Sequence, residues 1–171
     1  MVEPLKGKSK PTKSNSKLTK SATFSPCNNY RYTLSRCWDK DKPYAMFIGL
    51  NPSTADEEND DPTIRRCINY AKDWGYGGLY MLNLFAYRAT APSDMMAAKS
   101  PVREDNDKWL LKISKEAGII IAAWGNDGSF KGRSEEIKKL ITGLKCLKVN
   151  KSGEPAHPLY QPKKAVPIAF S

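Results

Sequence analysis

The chain has 171 residues, 40% hydrophobic and 27% charged, which suits one soluble domain with a sizeable core and gives no sign of a repeat array. No apolar run approaches the ~20 residues of a membrane helix and the first residues lack the apolar centre of a secretory signal, so a cytoplasmic setting is expected. The formal net charge of +10 points to a polyanionic partner, although charge carries no sequence specificity.

Half of that charge sits in residues 1–25, where Lys6, Lys8, Lys10, Lys13, Lys17 and Lys20 face only Glu3. This stretch is rich in Lys, Ser, Thr and Pro and has too little apolar surface to offset the entropy of ordering. A disordered basic tail is expected there, either contacting a polyanion or simply solvated. Tyr30 to Trp38 alternates like a strand, and the turn residues Asp39 to Pro43 lead to a second strand over 44–48. The two are expected to form an antiparallel pair.

The second strand ends in Gly49-Leu-Asn-Pro-Ser-Thr-Ala-Asp56, a turn that could carry a site or merely cap the next helix with Ser53 or Thr54. Asp61 is a candidate cap and Pro62 a candidate first residue for that helix, with Ile64, Cys67, Ile68, Ala71 and Trp74 at helical spacing and Gly75 as the stop. Gly78 to Phe85 is the next strand, parallel to the one at 44–48 and carrying Asn83 near its end. A short helix near Met95 and a longer one over Asn106 to Ala117 follow. Ile119 to Trp124 is a buried strand ending in a flexible Gly125-Asn-Asp-Gly loop. Ser134 could cap a helix through Thr142, and Leu144 to Val149 is a fourth strand, leading to the loop that holds His157. Alternating strands and helices argue an α/β three-layer sandwich with a mostly parallel central sheet, occupying residues 26–162. Residues 163–171 read as a C-terminal tail.

Four strand ends then present Asn51, Asn83, Trp124-Gly125 and the single histidine, His157, to one edge. Amides and a neutral imidazole can hydrogen-bond the edge of a base or stabilise a departing anion. Each also has a plainer reading: His157 as a satisfied loop histidine, Asn83 as a turn residue, Trp124 as core. Cys27, Cys37, Cys67 and Cys146 are scattered, so free thiols are expected rather than a zinc site, and no cofactor or metal set is visible.

The phrases Gly49 to Asp56, Asp61-Pro-Thr63, Asn83-Leu-Phe-Ala-Tyr87, Ala123-Trp-Gly125 and His157-Pro-Leu-Tyr160 resemble a bacterial and phage family known only as a domain of unknown function. In the same order, over about residues 30–161, they resemble the uracil-DNA glycosylase superfamily. That resemblance implies hydrolysis of the N-glycosidic bond of a modified or damaged base flipped out of DNA. It implies that Asn51, within Gly49, Leu50, Pro52 and Ser53, holds the attacking water, that Asn83 reads the base edge, and that His157 stabilises the departing base. Phe85, Tyr87 or Tyr160 would line the pocket, and Leu159 or Tyr160 would wedge into the stack.

Two departures follow. Asn51 is an amide and cannot act as a general base, so Asp56, Asp60 or Asp61 would have to supply one, with Asp56 the first candidate. Leu159 stands where those enzymes place a phosphate-gripping serine. DNA is the expected partner, with base and backbone both contacted. The alternatives are a non-catalytic nucleic-acid-binding module of the same fold, an enzyme acting on free nucleotides or nucleosides, and a protein-binding role for the acidic loop 56–61.

Overall fold

The computed structural model describes residues 18–171. Its centre is a seven-stranded mixed sheet in the order β1-β2-β4-β3-β5-β6-β7. The strands are β1 (Thr19–Phe24), β2 (Arg31–Cys37), β3 (Tyr44–Gly49), β4 (Gly78–Asn83), β5 (Ile119–Ala122), β6 (Lys145–Cys146) and β7 (Ile168–Ala169). The helices are α1 (Pro62–Asp73), α2 (Pro92–Ala97), α3 (Asp105–Ser114) and α4 (Arg133–Leu140). The fold is α/β, as expected. The inner strands β4, β3, β5 and β6 run parallel, whereas β1, β2 and β7 pair antiparallel at the two sides. The sheet is therefore mixed rather than mostly parallel.

Both faces are covered, and β3 shows how. Ala45 and Phe47 join one apolar cluster with Ile64, Cys67, Tyr70 and Ala71 of α1. Met46 and Ile48 join the other, with Met95 of α2, Leu110 and Ile113 of α3 and Ile137 of α4. A strand buried on both faces reads as a continuous apolar run, which is why 44–48 is legible. Helix α1 is fixed over β3 by stacking of Phe47 on Trp74, with centroids 5.9 Å apart, and of Trp74 on Tyr70 at 5.3 Å. At its start, the Asp61 carboxylate accepts from the Ile64 N–H at 2.8 Å and Pro62 opens the first turn. Such a cap stabilises by about 1 kcal/mol.

Several expectations are corrected. The strands on either side of the Asp39–Pro43 turn do not pair; β4 lies between them. Both edges of β3 are taken by parallel neighbours, so the chain from β2 must cross the start of β4. It can do so because residue 77 is glycine: a Cβ there would lie 2.0 Å from the Asp39 carbonyl oxygen. Trp38 and Asp39 donate to the Gly77 carbonyl at 3.0 and 2.9 Å. Within the expected disordered tail, Thr19–Phe24 is an edge strand on β2; positions 1–17 of that tail lie outside the described residues. The expected C-terminal tail 163–171 is built into the domain. Ala165 accepts from Trp74 Nε1 at 3.2 Å, Ile168–Ala169 pair with β6, and Phe170 packs edge-on against Trp124.

Smaller differences concern boundaries. The strand expected over Leu144–Val149 is only two residues long, and Asn126–Gly132 forms 3₁₀ turns broken by a kink at Phe130 and Lys131 rather than an open loop. Ser134 lies inside α4 and donates to Glu154 instead of capping the helix. No helix among the described residues is long and apolar enough to cross a membrane.

Candidate functional site

Parallel strands end on the same side of a sheet, and here Gly49 is level with Asn83 while Ile48 is level with Ala122. The turn leaving β3 is held firmly against the chain leaving β4. Leu84 donates to the Gly49 carbonyl at 2.9 Å, Phe85 to Leu50 at 3.0 Å and Ala89 to Pro52 at 2.9 Å. Pairing thus runs on past both strands, so the Asn-Pro-Ser stretch is a fixed platform. A Cβ at Gly49 would stand 3.0 Å from Asn83 Nδ2, so glycine leaves room for that amide at the strand end.

On this platform Asn51 is half-buried. Its Nδ2 donates to the carbonyls of Ala89 at 2.8 Å and Pro52 at 3.1 Å. With both N–H groups engaged, Oδ1 is left as an oriented acceptor. Pro52 is buried, and Leu50 and Ser53 are half-buried beside it. Asn83 is only 4% exposed. Asn106 Nδ2 donates to the Asn83 carbonyl at 2.8 Å, and Arg31 Nη2 approaches Asn83 Oδ1 at 3.5 Å.

His157 arrives by a different route. Val149 bridges Pro155, Gly125 donates to the Pro155 carbonyl at 2.9 Å, and the next turn packs on α1. Arg66 Nη1 and Tyr70 Oη donate to the Gln161 and Pro162 carbonyls at 2.8 and 2.6 Å, fixing the chain that follows His157. The Leu159 N–H donates to His157 Nδ1 at 3.2 Å, so a neutral ring carries its proton on Nε2. Burial pushes the imidazole below its ordinary pKa, and the negative charge of Asp61 partly opposes this. The His157 of this structure is accordingly a neutral donor.

Sequence reasoning missed Arg31, the first residue of β2. It is 2% exposed, and Nη1 donates to the Ala55 carbonyl at 3.0 Å. Burial lowers its pKa to about 10, with Asp61 opposing. Asp61 therefore acts electrostatically on both His157 and Arg31 while capping α1. An isolated arginine in an alternating strand carries no signal that its side chain lies under a loop.

The other expected site residues divide. Asp56 does not stand free as a base. Its Oδ1 accepts from Asn59 N at 2.7 Å, Glu58 N at 2.9 Å and Asn59 Nδ2 at 3.1 Å, and the backbone bonds pull its pKa down. Asp60 pairs with Arg36 at 2.9 Å. Phe85 is fully buried, tilted against Phe130, and belongs to the core. Trp124 is core too, and its Nε1 donates to Glu154 at 2.8 Å. Tyr87 is half-buried, edge-on to Tyr30. Leu159 is half-buried, whereas Tyr160 is 82% exposed with its ring 5.6 Å from that of His157. No metal-binding cluster of His, Cys, Asp and Glu occurs among the described residues. A surface groove lined by Asp73, Trp74, Lys164, Ala165 and Val166 lies at the far end of α1 from Asp61 and touches none of these groups.

Residues 31–159 match the model of a family described as "Protein of unknown function (DUF1643)". No curated protein and no solved structure matches the chain.

Proposed function

The chain belongs to the DUF1643 family, and we propose that it is a DNA glycosylase-like protein that hydrolyses the N-glycosidic bond of a modified or damaged base. One observation carries this reading: the turn after β3 offers an oriented acceptor, Asn51 Oδ1, while His157, capped through Nδ1, offers a neutral Nε2–H donor. Breaking a glycosidic bond by an oxocarbenium-like path requires a held water on the sugar side and a donor to the departing base on the other. In this proposal Asn51 orients the water and Asn83 hydrogen-bonds the base edge. His157 donates to the base anion, and Tyr160 fills the gap left by the flipped nucleotide. A uracil-DNA glycosylase-type fold is part of the same proposal. So is a cytoplasmic setting, which suits the free Cys27, Cys37, Cys67 and Cys146.

The test is incubation with oligonucleotides carrying uracil, hydroxymethyluracil, mismatches and hypermodified bases, followed by alkaline cleavage at abasic sites. Strand breaks are expected for at least one base, reduced about 10²–10³-fold by His157→Ala, the range for losing one donor to a developing anion. No cleavage of any substrate refutes the enzyme reading.

A second reading is supported by the carboxylates. Asp56 is engaged in its own turn, Asp60 is paired with Arg36, and Asp61 caps α1. With none of the three standing as a ready base, a non-catalytic nucleic-acid-binding module fits the same residues. That reading expects salt-sensitive DNA binding with no base release.

A further inference from the structure

Three arginines are almost wholly buried: Arg31, Arg36 and Arg133. Two have carboxylate partners. Arg36 meets Asp60 at 2.9 Å, and Arg133 meets Asp107 at 2.7 Å and Glu136 at 3.1 Å. Arg31 makes no salt bridge among the described residues. Its Nη1 is held by the Ala55 carbonyl, but Nη2 has only the 3.5 Å approach to Asn83, and Nε has no hydrogen-bond partner. A buried donor without an acceptor is costly, and a buried cation with no carboxylate in contact more so, Asp61 and Asp56 acting on it only at a distance.

Nε and Nη2 form the side of a guanidinium whose two N–H bonds run parallel and bind an oxyanion through both at once. That side is the under-occupied one, whereas Nη1, which takes no part in it, is anchored. The same edge holds Asn83, whose Nδ2 lies towards Gly49. Gly49, which adjoins Asn83 at this strand end, is half-buried.

We propose that the Nε/Nη2 side of Arg31, beside Asn83, is a subsite for a phosphate group carried by a nucleotide ligand whose base edge meets Asn83. The inference rests on reading this edge as the ligand site, and it is independent of whether any bond is broken. The phosphate can belong to a free nucleotide or to a nucleic-acid backbone, because the same fork binds either. A purely structural Arg31 would instead serve as a strut joining the Ala55 turn to β4.

The full chain is titrated by calorimetry with the common deoxynucleosides, their 5′-monophosphates and a short mixed-sequence oligodeoxynucleotide. At least one monophosphate is expected to bind about tenfold or more tighter than its nucleoside, the size of one charge-assisted paired contact. Arg31→Met should abolish that preference. Should Arg31→Met fail to fold by circular dichroism, Arg31→Lys takes its place, since it keeps the charge without the fork, and the preference should narrow several-fold. Tighter binding of the oligonucleotide than of any monophosphate assigns the subsite to the backbone, and the reverse order assigns it to a free nucleotide. The proposal is overturned if nucleoside and monophosphate bind alike, if none of the probes binds, or if the preference is undiminished in the folded Arg31 variant. Base release in the assay above can fail while this preference holds, and the preference can fail while base release holds.

Discussion

Removing Asp60 is expected to harm the fold more than removing its partner, Arg36. Arg36 is wholly buried on β2, and its Nε donates to Asp60 Oδ1 at 2.9 Å, Nη2 to the Asp56 carbonyl at 2.6 Å and Nη1 to the Ser35 carbonyl at 2.8 Å. Asp60 keeps 22% of its side-chain surface in solvent. Asp60→Ala therefore leaves a cation in the interior with two carbonyls for company. Breaking a buried pair in this way costs about 3–5 kcal/mol, and the two remaining bonds put the change near the low end, about 3 kcal/mol. Arg36→Met keeps an apolar stem and lets Asp60 rehydrate; two carbonyls lose a donor, which costs about 1–2 kcal/mol. In the double variant no charge is left unpaired, so its cost should fall short of the sum by about 1 kcal/mol or more. Urea unfolding at neutral pH, read from midpoints at constant slope, measures all three against a total stability of about 5–15 kcal/mol. The reasoning is refuted if Asp60→Ala costs under about 1 kcal/mol, or no more than Arg36→Met.

Three further outcomes follow from the same geometry. Burial holds folded His157 below its ordinary pKa of 6.5, so the unfolded chain binds the proton first. This group's contribution to stability is complete above that value and is lost as the pH falls towards the folded value; urea midpoints from pH 8 to 5 should lose that slope in His157→Gln, and equal slopes would count against a buried neutral ring. Asp61→Asn keeps an acceptor for the Ile64 N–H but removes the charge that raises the His157 pKa, so the imidazole midpoint seen by NMR should move lower; an unmoved midpoint contradicts the coupling. Gly128→Ala would place a Cβ 2.0 Å from Cδ1 of the buried Trp124, and overpacking of about 2–3 kcal/mol should lower Tm by at least about 4 °C. A Tm within about 1 °C of the parent would show that the tryptophan has room to move.

The parts of the fold legible in the sequence are those whose burial writes a period. Strand β3, helix α1 with its Asp61 cap and Pro62, and strand β4 each bury a face, and each reads correctly. Strand β1 does not, because Thr19, Lys20 and Ser21 are exposed and its order comes from main-chain pairing with β2. Such pairing leaves no pattern in residue types. The neighbours of β2 were equally hidden, since strand order depends on contacts distant in sequence. At the site, Gly49 and Asn83 could be placed side by side because both close parallel strands. Arg31 could not, since an arginine's burial is decided by the loop folded over it. Asp56 misled for the opposite reason: a carboxylate beside a candidate site is also what a tight turn uses to bind its own N–H groups.

The Glu154 carboxylate accepts from Trp124 Nε1 on one oxygen and from Ser134 Oγ at 2.9 Å on the other. Three residues before His157, the chain is thus pinned to the core independently of the covalent path through Lys151, Ser152 and Gly153, which lie exposed at the tip of the preceding turn. A tryptic nick after Lys151 would cut the backbone without releasing the histidine segment, which the Trp74, Tyr70 and Arg66 bonds also retain. New chain ends made at this tip, as in a circular permutant, should leave the histidine docked. Ends made after Glu154 would leave it without that anchor.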